Sequence, residues 1–154
     1  MKIDWIELGV LAASGIPVGQ KDIESLHEQG IRAIVTLTEQ PLTIQKEVTA
    51  ELLNNLDITC LHVPIMDQHP PNIIQVQQLT QFVNEMKAEG RPVFLHCYAG
   101  VGRTGTMLHA YFLARGLSLE EAKSKVKSGR MMSQFIMLAD SQQRFLEKLA
   151  AGGN

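Results

Sequence analysis

Apolar and polar positions follow two different rhythms along this chain. Residues 31–37 (IRAIVTL) are β-branched and almost continuously apolar, the pattern of a strand covered on both faces. Residues 58–63 (ITCLHV) and 92–96 (PVFLH) predict two more strands, and 5–12 (WIELGVLA) predicts short extended segments broken at Gly9. Between these runs the period becomes that of a helix. Residues 20–29 predict a helix that stops at Gly30. Beyond Pro41, the residues Ile44, Val48 and Leu52 recur at fours and predict a helix over 43–54 with one apolar face. Ile73, Val76, Leu79, Val83 and Met86 predict another, stopping at Gly90. Further helices are expected from about Thr104 to Ala114 and from the capping box Ser118-Leu119-Glu120-Glu121 to Gly129. A last helix is expected over about 135–149, with Ile136, Leu138, Phe145 and Leu149 on its buried side. The stretch 64–71 (PIMDQHPP) has three prolines in eight residues and is expected as a stiff loop. Strands alternating with helices imply an α/β fold, a mostly parallel central sheet flanked by helices on both faces.

Composition narrows the class without choosing a function. With 154 residues, 45% hydrophobic and 19% charged, the chain can bury a sizeable core without disulfides or metals. It contains no internal repeat or low-complexity tract, so 1–154 reads as a single domain. The formal net charge of −2 is made of dispersed charges, which gives no reason to expect a nucleic-acid or membrane-surface partner. Two cysteines, Cys60 and Cys97, are too few for a disulfide framework and suit a reducing compartment. No apolar run reaches the length of a membrane span, and the N-terminus lacks a basic stretch followed by an apolar one. A cytoplasmic monomer is therefore expected. His62, His69 and His96 lack a close ligand spacing, so neither metal nor cofactor is expected. His27 and His109 read as structural or exposed, and Cys60 as a core residue of its strand.

One segment stands apart. His96-Cys97-Tyr98-Ala99-Gly100-Val101-Gly102-Arg103-Thr104-Gly105 links a buried strand to a helix, where α/β sheets place ligands. Gly100 and Gly102 let the backbone curl so that consecutive N–H groups of residues 98–102 converge on an anion. The helix beginning near Arg103 adds its positive end. Arg103, six positions after Cys97, offers a planar fork for two phosphate oxygens. A cysteine thiol ordinarily titrates at about 8.5 and is a poor nucleophile; nest, helix end and Arg103 all favour the thiolate. Thr104 can donate its hydroxyl to the sulfur and make it a better leaving group. His96 is expected to hold the loop through backbone contacts rather than act as a base. A tight turn around a buried cysteine would explain any one of these residues, but not the whole set at this spacing.

HCYAGVGRTG matches the H-C-x5-R-[ST] signature of the protein tyrosine phosphatase superfamily. The chain resembles the small atypical dual-specificity phosphatases of the VHZ type almost end to end: Trp5, LAASGIP at 11–17, GIRAIVTLTE at 30–39, the proline-rich loop and RTGTML at 103–108. The resemblance implies a cysteine-phosphatase fold, transfer of phosphate to Cys97, and hydrolysis of that intermediate without a metal. It also implies an aspartate on an upstream loop as general acid. Asp67, 30 residues before Cys97, fits this role; Asp57 is the alternative, expected at the wrong end of the sheet. Family members often place a polar side chain after the fifth helix to position the hydrolytic water. Gln134 is the candidate here, and a plain surface glutamine is the competing reading.

At this length there is no room for the N-terminal elements that deepen a phosphotyrosine cleft. The expected partner is therefore a phosphorylated protein or peptide at a shallow site. Tyr98 and Val101 are uncharged, whereas phosphoinositide phosphatases with such a loop usually carry lysines there. The alternatives are a phosphate-binding pseudophosphatase module, a phosphatase of phosphoinositide or of RNA 5′-phosphate, and a rhodanese-like sulfur transferase. The Asp67 loop counts against the last.

Overall fold

The computed structural model describes residues 1–152, and its five strands form where the continuous apolar runs predict them. They are β1 (Asp4–Glu7), β2 (Leu11–Ser14), β3 (Ala33–Thr36), β4 (Thr59–His62) and β5 (Val93–His96). The sheet order is β1-β2-β5-β3-β4. All neighbours are parallel except the β1–β2 pair. The centre of the sheet is buried on both faces, and side chains along each strand alternate between two cores. Ala12, Ile34 and Phe94 face α1 (Gly19–Glu28) and α2 (Ala50–Asn55). Leu11, Val35 and Leu95 face the other layer, formed by α3 (Ile73–Ala88), α4 (Gly102–Ala114), α5 (Leu119–Gly129) and α6 (Asp140–Ala150). This is the α/β arrangement expected, with helices on both faces of a mostly parallel sheet. Both cores share β5, which is fully buried and pairs with β2 and β3, so the loop that follows it starts from a firmly held strand.

Three expectations fail, each for a tertiary reason. The segment after Pro41 forms only a 3-10 helix at Leu42–Ile44, and α2 starts after Thr49, whose hydroxyl accepts the Leu52 N–H at 3.0 Å. Between them, the Gln45 side chain bonds the Pro17 carbonyl and the Gly19 N–H, both at 2.9 Å. That bridge holds residue 45 extended, and Ile44 is left exposed rather than on a buried face. The last helix begins at Asp140, not near 135. The Gln142 side chain accepts the Ala139 N–H at 2.9 Å and sets the start there. Residues Phe135–Met137 form a separate 3-10 turn, which leaves Ile136 76% exposed while Leu138 is buried. Cys60 is exposed rather than in the core, because β4 is the sheet edge and pairs only with β3.

Candidate active site

At the carboxyl end of β5 the chain enters a loop whose carbonyls are pulled outward. The Tyr98 carbonyl accepts the Ile16 N–H at 2.9 Å. The Gly100 carbonyl accepts Arg130 Nε at 3.0 Å and the Ser133 hydroxyl at 2.8 Å. With the carbonyls held away, the N–H groups of Tyr98, Ala99, Gly100 and Val101 donate to nothing among the described residues. The first turn of α4 follows directly, with no side-chain cap at Val101. This is a preformed anion cradle at a helix N-terminus. Gly100 is required within it. Its φ is +74°, and a Cβ there would lie 2.6 Å from the Ser14 backbone and 2.7 Å from Arg130 Nη2. Cys97 opens the loop and is 3% exposed. Around it Tyr98 and Ala99 face solvent, whereas Val101 and Gly102 are half-buried.

His96 is fully buried between the strands. Its Nδ1 lies 2.8 Å from the Cys97 carbonyl, and its Nε2 lies 2.8 Å from the Thr36 hydroxyl. A carbonyl can only accept, so Nδ1 carries the proton and Nε2 accepts from Thr36. Burial pushes the imidazole down to about 4, against the Cys97 carbonyl's opposing effect and with Arg103 adding to the fall. The ring is thus neutral at physiological pH, and both of its nitrogens are occupied.

Arg103, in the first turn of α4, is 4% exposed. Its Nη1 donates to Glu39 Oε1 at 2.6 Å and to the Ile65 carbonyl at 3.0 Å. Nη2 is 3.5 Å from Asp67 Oδ1. Nε has no partner among the described residues, and neither has the hydroxyl of the fully buried Thr104. Glu39 reaches further, accepting the Asp67 N–H on its second oxygen at 3.4 Å. Its own backbone N–H and the Arg103 guanidinium hold the Glu39 carboxyl below the usual carboxylate range. A cleft of about 470 Å³ opens here, lined by Ile16, Glu39, Ile44, Asp67, Tyr98 and Arg103. Asp57 is at the opposite end of the sheet, ahead of β4, paired with Arg91 at 2.9 Å.

Comparisons with known proteins identify the family and the fold. Residues 1–152 match the family described as Swiss Army Knife protein, DSP-PTPase phosphatase domain. The chain belongs to that family. Its fold matches the crystal structure of Tk-PTP in the active form with a TM-score of 0.80 at 27% identity, covering 97% of this chain and 96% of that one. Among curated proteins it is 24% identical over 148 residues to the phosphatidylglycerophosphate phosphatase PTPMT2 of Arabidopsis thaliana, covering 95% of this chain and 62% of the relative. It is 26% identical over 124 residues to the human dual specificity protein phosphatase 12, covering 79% of this chain and 34% of the relative. The chain therefore spans less than two thirds of either curated relative.

Within this DSP-PTPase domain, the structure brings together His96, Cys97, Arg103, Thr104 and Asp67 but not Gln134. Gln134 lines a separate groove with Lys123, Lys127 and Phe135. The glutamine at the loop is Gln142, 1% exposed. Its side-chain amide would touch a Cβ on Gly102 at 3.1 Å, and its Nε2 donates to the His69 carbonyl at 3.3 Å. Sequence reasoning also passed over Glu39, Arg130 and Ser133. Glu39 stands inside a quoted motif and Arg130 follows a helix-ending glycine, yet nothing along the chain says that either reaches the loop. No three His, Cys, Asp or Glu side chains gather as a metal would require among the described residues.

Proposed function

We propose that this chain hydrolyses phosphomonoesters through a phosphocysteine intermediate. Cys97 attacks phosphorus as the thiolate while the loop N–H groups and Arg103 hold the phosphoryl oxygens. Asp67 gives its proton to the departing oxygen as the P–O bond breaks. Water then attacks the phosphocysteine and returns a proton to Asp67, releasing inorganic phosphate and the thiolate, which the Thr104 hydroxyl receives. The observation that carries this reading is the posture of Arg103. Glu39 and the Ile65 carbonyl occupy both protons of Nη1. That leaves the Nε–Nη2 edge, whose Nε has no partner among the described residues, for the two parallel bonds a phosphate makes. Glu39 is a positioning residue, and His96 holds the Cys97 carbonyl.

The test is acid-quenched turnover of an aryl phosphate followed by mass analysis of the peptide containing Cys97. A phosphate adduct on wild type, missing in Cys97→Ser, is expected. Steady phosphate release from Cys97→Ser at the wild-type rate would remove the covalent mechanism. A phosphate-binding module would take up tungstate and release no phosphate at all. Two kinds of phosphate carrier have support. A phosphorylated protein or peptide fits the human relative's name, and a lipid fits the Arabidopsis relative's. The cleft offers no lysine beside Arg103, which favours a carrier with a single phosphate.

A further inference from the structure

The net charge of the chain conceals a local imbalance beside the loop. From Lys123 to Ala139 there are four basic residues, Lys123, Lys125, Lys127 and Arg130, and no carboxylate, in a chain of formal net charge −2. Helix α5 opens with Glu120 and Glu121 in its first turn and becomes basic towards the end nearer the site. Lys125 and Lys127 are exposed. Lys123 lies 4.1 Å over the Phe135 ring and 3.4 Å from Glu120 Oε1, so the unpaired positive charge of the stretch is that of Lys125 and Lys127 among the described residues. Arg130 is spent internally, on Asp4 at 2.7 Å and on the Gly100 carbonyl.

Directly after this basic stretch come two 3-10 turns, Met131–Ser133 and Phe135–Met137. They carry Met131, Met132, Ile136 and Met137, which are 63%, 55%, 76% and 52% exposed. Four large apolar side chains, each more than half exposed within seven residues, are costly in water. The segment that bears them is anchored to the anion cradle, since Arg130 and Ser133 both bond Gly100. A Cβ on Gly105 would sit 2.6 Å from the Ser133 carbonyl, so the contact is backbone to backbone. Tyr98, which lines the cleft, is 70% exposed, and Met66, next to Asp67 in the chain, is 63% exposed.

Apolar side chains flanked by exposed lysines fit one medium in particular, the boundary of an anionic bilayer. The apolar groups enter the acyl margin while the ammonium groups meet the headgroups. Thioether side chains are flexible and conform to such a disordered surface. We propose that residues 123–137 seat this protein on an anionic membrane surface, with the Cys97 loop facing a phosphomonoester borne on a lipid headgroup. The substrate half of this proposal rests on the phosphomonoester-hydrolase reading; the surface half stands on its own. The cleft beside Arg103 holds two carboxylates, Glu39 and Asp67, and no lysine. The headgroup therefore carries one phosphate rather than several.

The experiment is co-sedimentation of the full chain with vesicles of phosphatidylcholine alone or mixed with phosphatidylglycerol. Turnover of a soluble aryl phosphate is measured on the same proteins. Binding to the anionic vesicles should be at least about tenfold tighter than to the neutral ones and should weaken as salt rises. The pair Lys125→Glu and Lys127→Glu should lose that preference, and the triple change Met131→Ser, Met132→Ser, Ile136→Ser should lose binding. Neither variant should alter aryl-phosphate turnover, whereas hydrolysis of a phosphomonoester lipid in the vesicles should fall in both. Equal binding to the two vesicle types, or unchanged binding by both variants, overturns the proposal. So does binding to a soluble polyglutamate peptide in place of the vesicles, which would make the segment a protein-docking surface. Vesicle binding without aryl-phosphate turnover would leave the surface standing and remove the hydrolase reading.

Discussion

In the proposed mechanism Glu39 and Asp67, two carboxylates on neighbouring loops, take different tasks. Glu39 is fixed, with one oxygen on Arg103 and the other on the Asp67 N–H. The Asp67 side chain is 68% exposed, and its one polar partner among the described residues is Nη2, at 3.5 Å. A phosphate arriving on the Nε–Nη2 edge would displace Asp67 and leave it beside the departing oxygen. Asp67→Asn should therefore lower kcat on the scale of general acid catalysis, about 10²–10⁴-fold. The loss should be smallest for an aryl phosphate with a very acidic phenol and largest for a phosphoserine peptide. Equal losses across leaving groups would return Asp67 to a structural role in its proline-rich loop. Glu39→Gln keeps an acceptor for Nη1 but removes the charge, so KM should rise more than kcat falls. Glu39→Ala, which frees Nη1 to turn, should weaken tungstate binding further. Both are read in one set of kinetics with a tungstate titration, and a pure kcat effect would mean that Glu39 does not position Arg103.

At the scale of elements, the Cys97 loop is held by parts of the chain distant in sequence. β5 delivers Cys97, α4 delivers Arg103, and the segment after α5 supplies the donors that turn Gly100 outward. Arg130 links that segment to β1, since its Nη1 bonds Asp4 across 126 residues. The Arg130 side chain is 7% exposed and Asp4 33%, so removing either partner leaves a poorly solvated charge. Arg130→Ala should cost about 2–3 kcal/mol, below the 3–5 kcal/mol typical of fully buried pairs. It should also lower tungstate affinity, because Gly100 loses a donor. Asp4→Asn removes the ion pair but leaves the Gly100 bond. It should lower the urea midpoint with little effect on tungstate. Equal effects of the two variants on tungstate would show that Arg130 acts through stability alone.

For the molecule as a whole, the buried histidines tie stability to pH. His96 is held neutral in the fold, down to about 4, while in an unfolded chain it titrates near about 6.5. Burial shifts His109 the same way. Between these two values the unfolded chain binds protons that the native chain does not, so stability rises with pH there and falls on acidification. The contribution of His96 is complete above about pH 6.5 and is lost as pH drops towards 4. The loss is of the order of 3 kcal/mol for a shift of this size. Urea unfolding at pH 7 and pH 5 should show a clear drop in the midpoint, reduced in His96→Asn. An unchanged midpoint would mean that His96 is not kept neutral by the fold. Charge also behaves differently at this scale than along the sequence. A net charge of −2 gave no reason to expect a membrane surface, yet the segment that carries the exposed methionines is bonded to the Gly100 carbonyl through Arg130 and Ser133.

Local information determined the strands, most helices and the Cys97 loop, for a direct physical reason. Continuous apolar runs specify buried strands, period-four apolar positions specify amphipathic helices, and a cysteine, glycines and an arginine at fixed spacing curl one short segment around an anion. Each of these depends on neighbours a few residues away. What failed or went unseen depends on contacts made across the fold. The helix expected over 43–54 is cut short because Gln45 bonds Pro17 and Gly19. Cys60 faces solvent because its strand falls at the sheet edge. Gln134 lines a groove with Phe135, whereas Gln142 of α6 packs against Gly102, a contact that residue type alone does not reveal. Glu39 and Arg130 took on their roles only when β3 lay beside β5 and the end of α5 met β1. An ion pair 64 or 126 residues apart in sequence leaves no periodic trace, because it is selected by where two elements pack and not by what surrounds either residue in the chain.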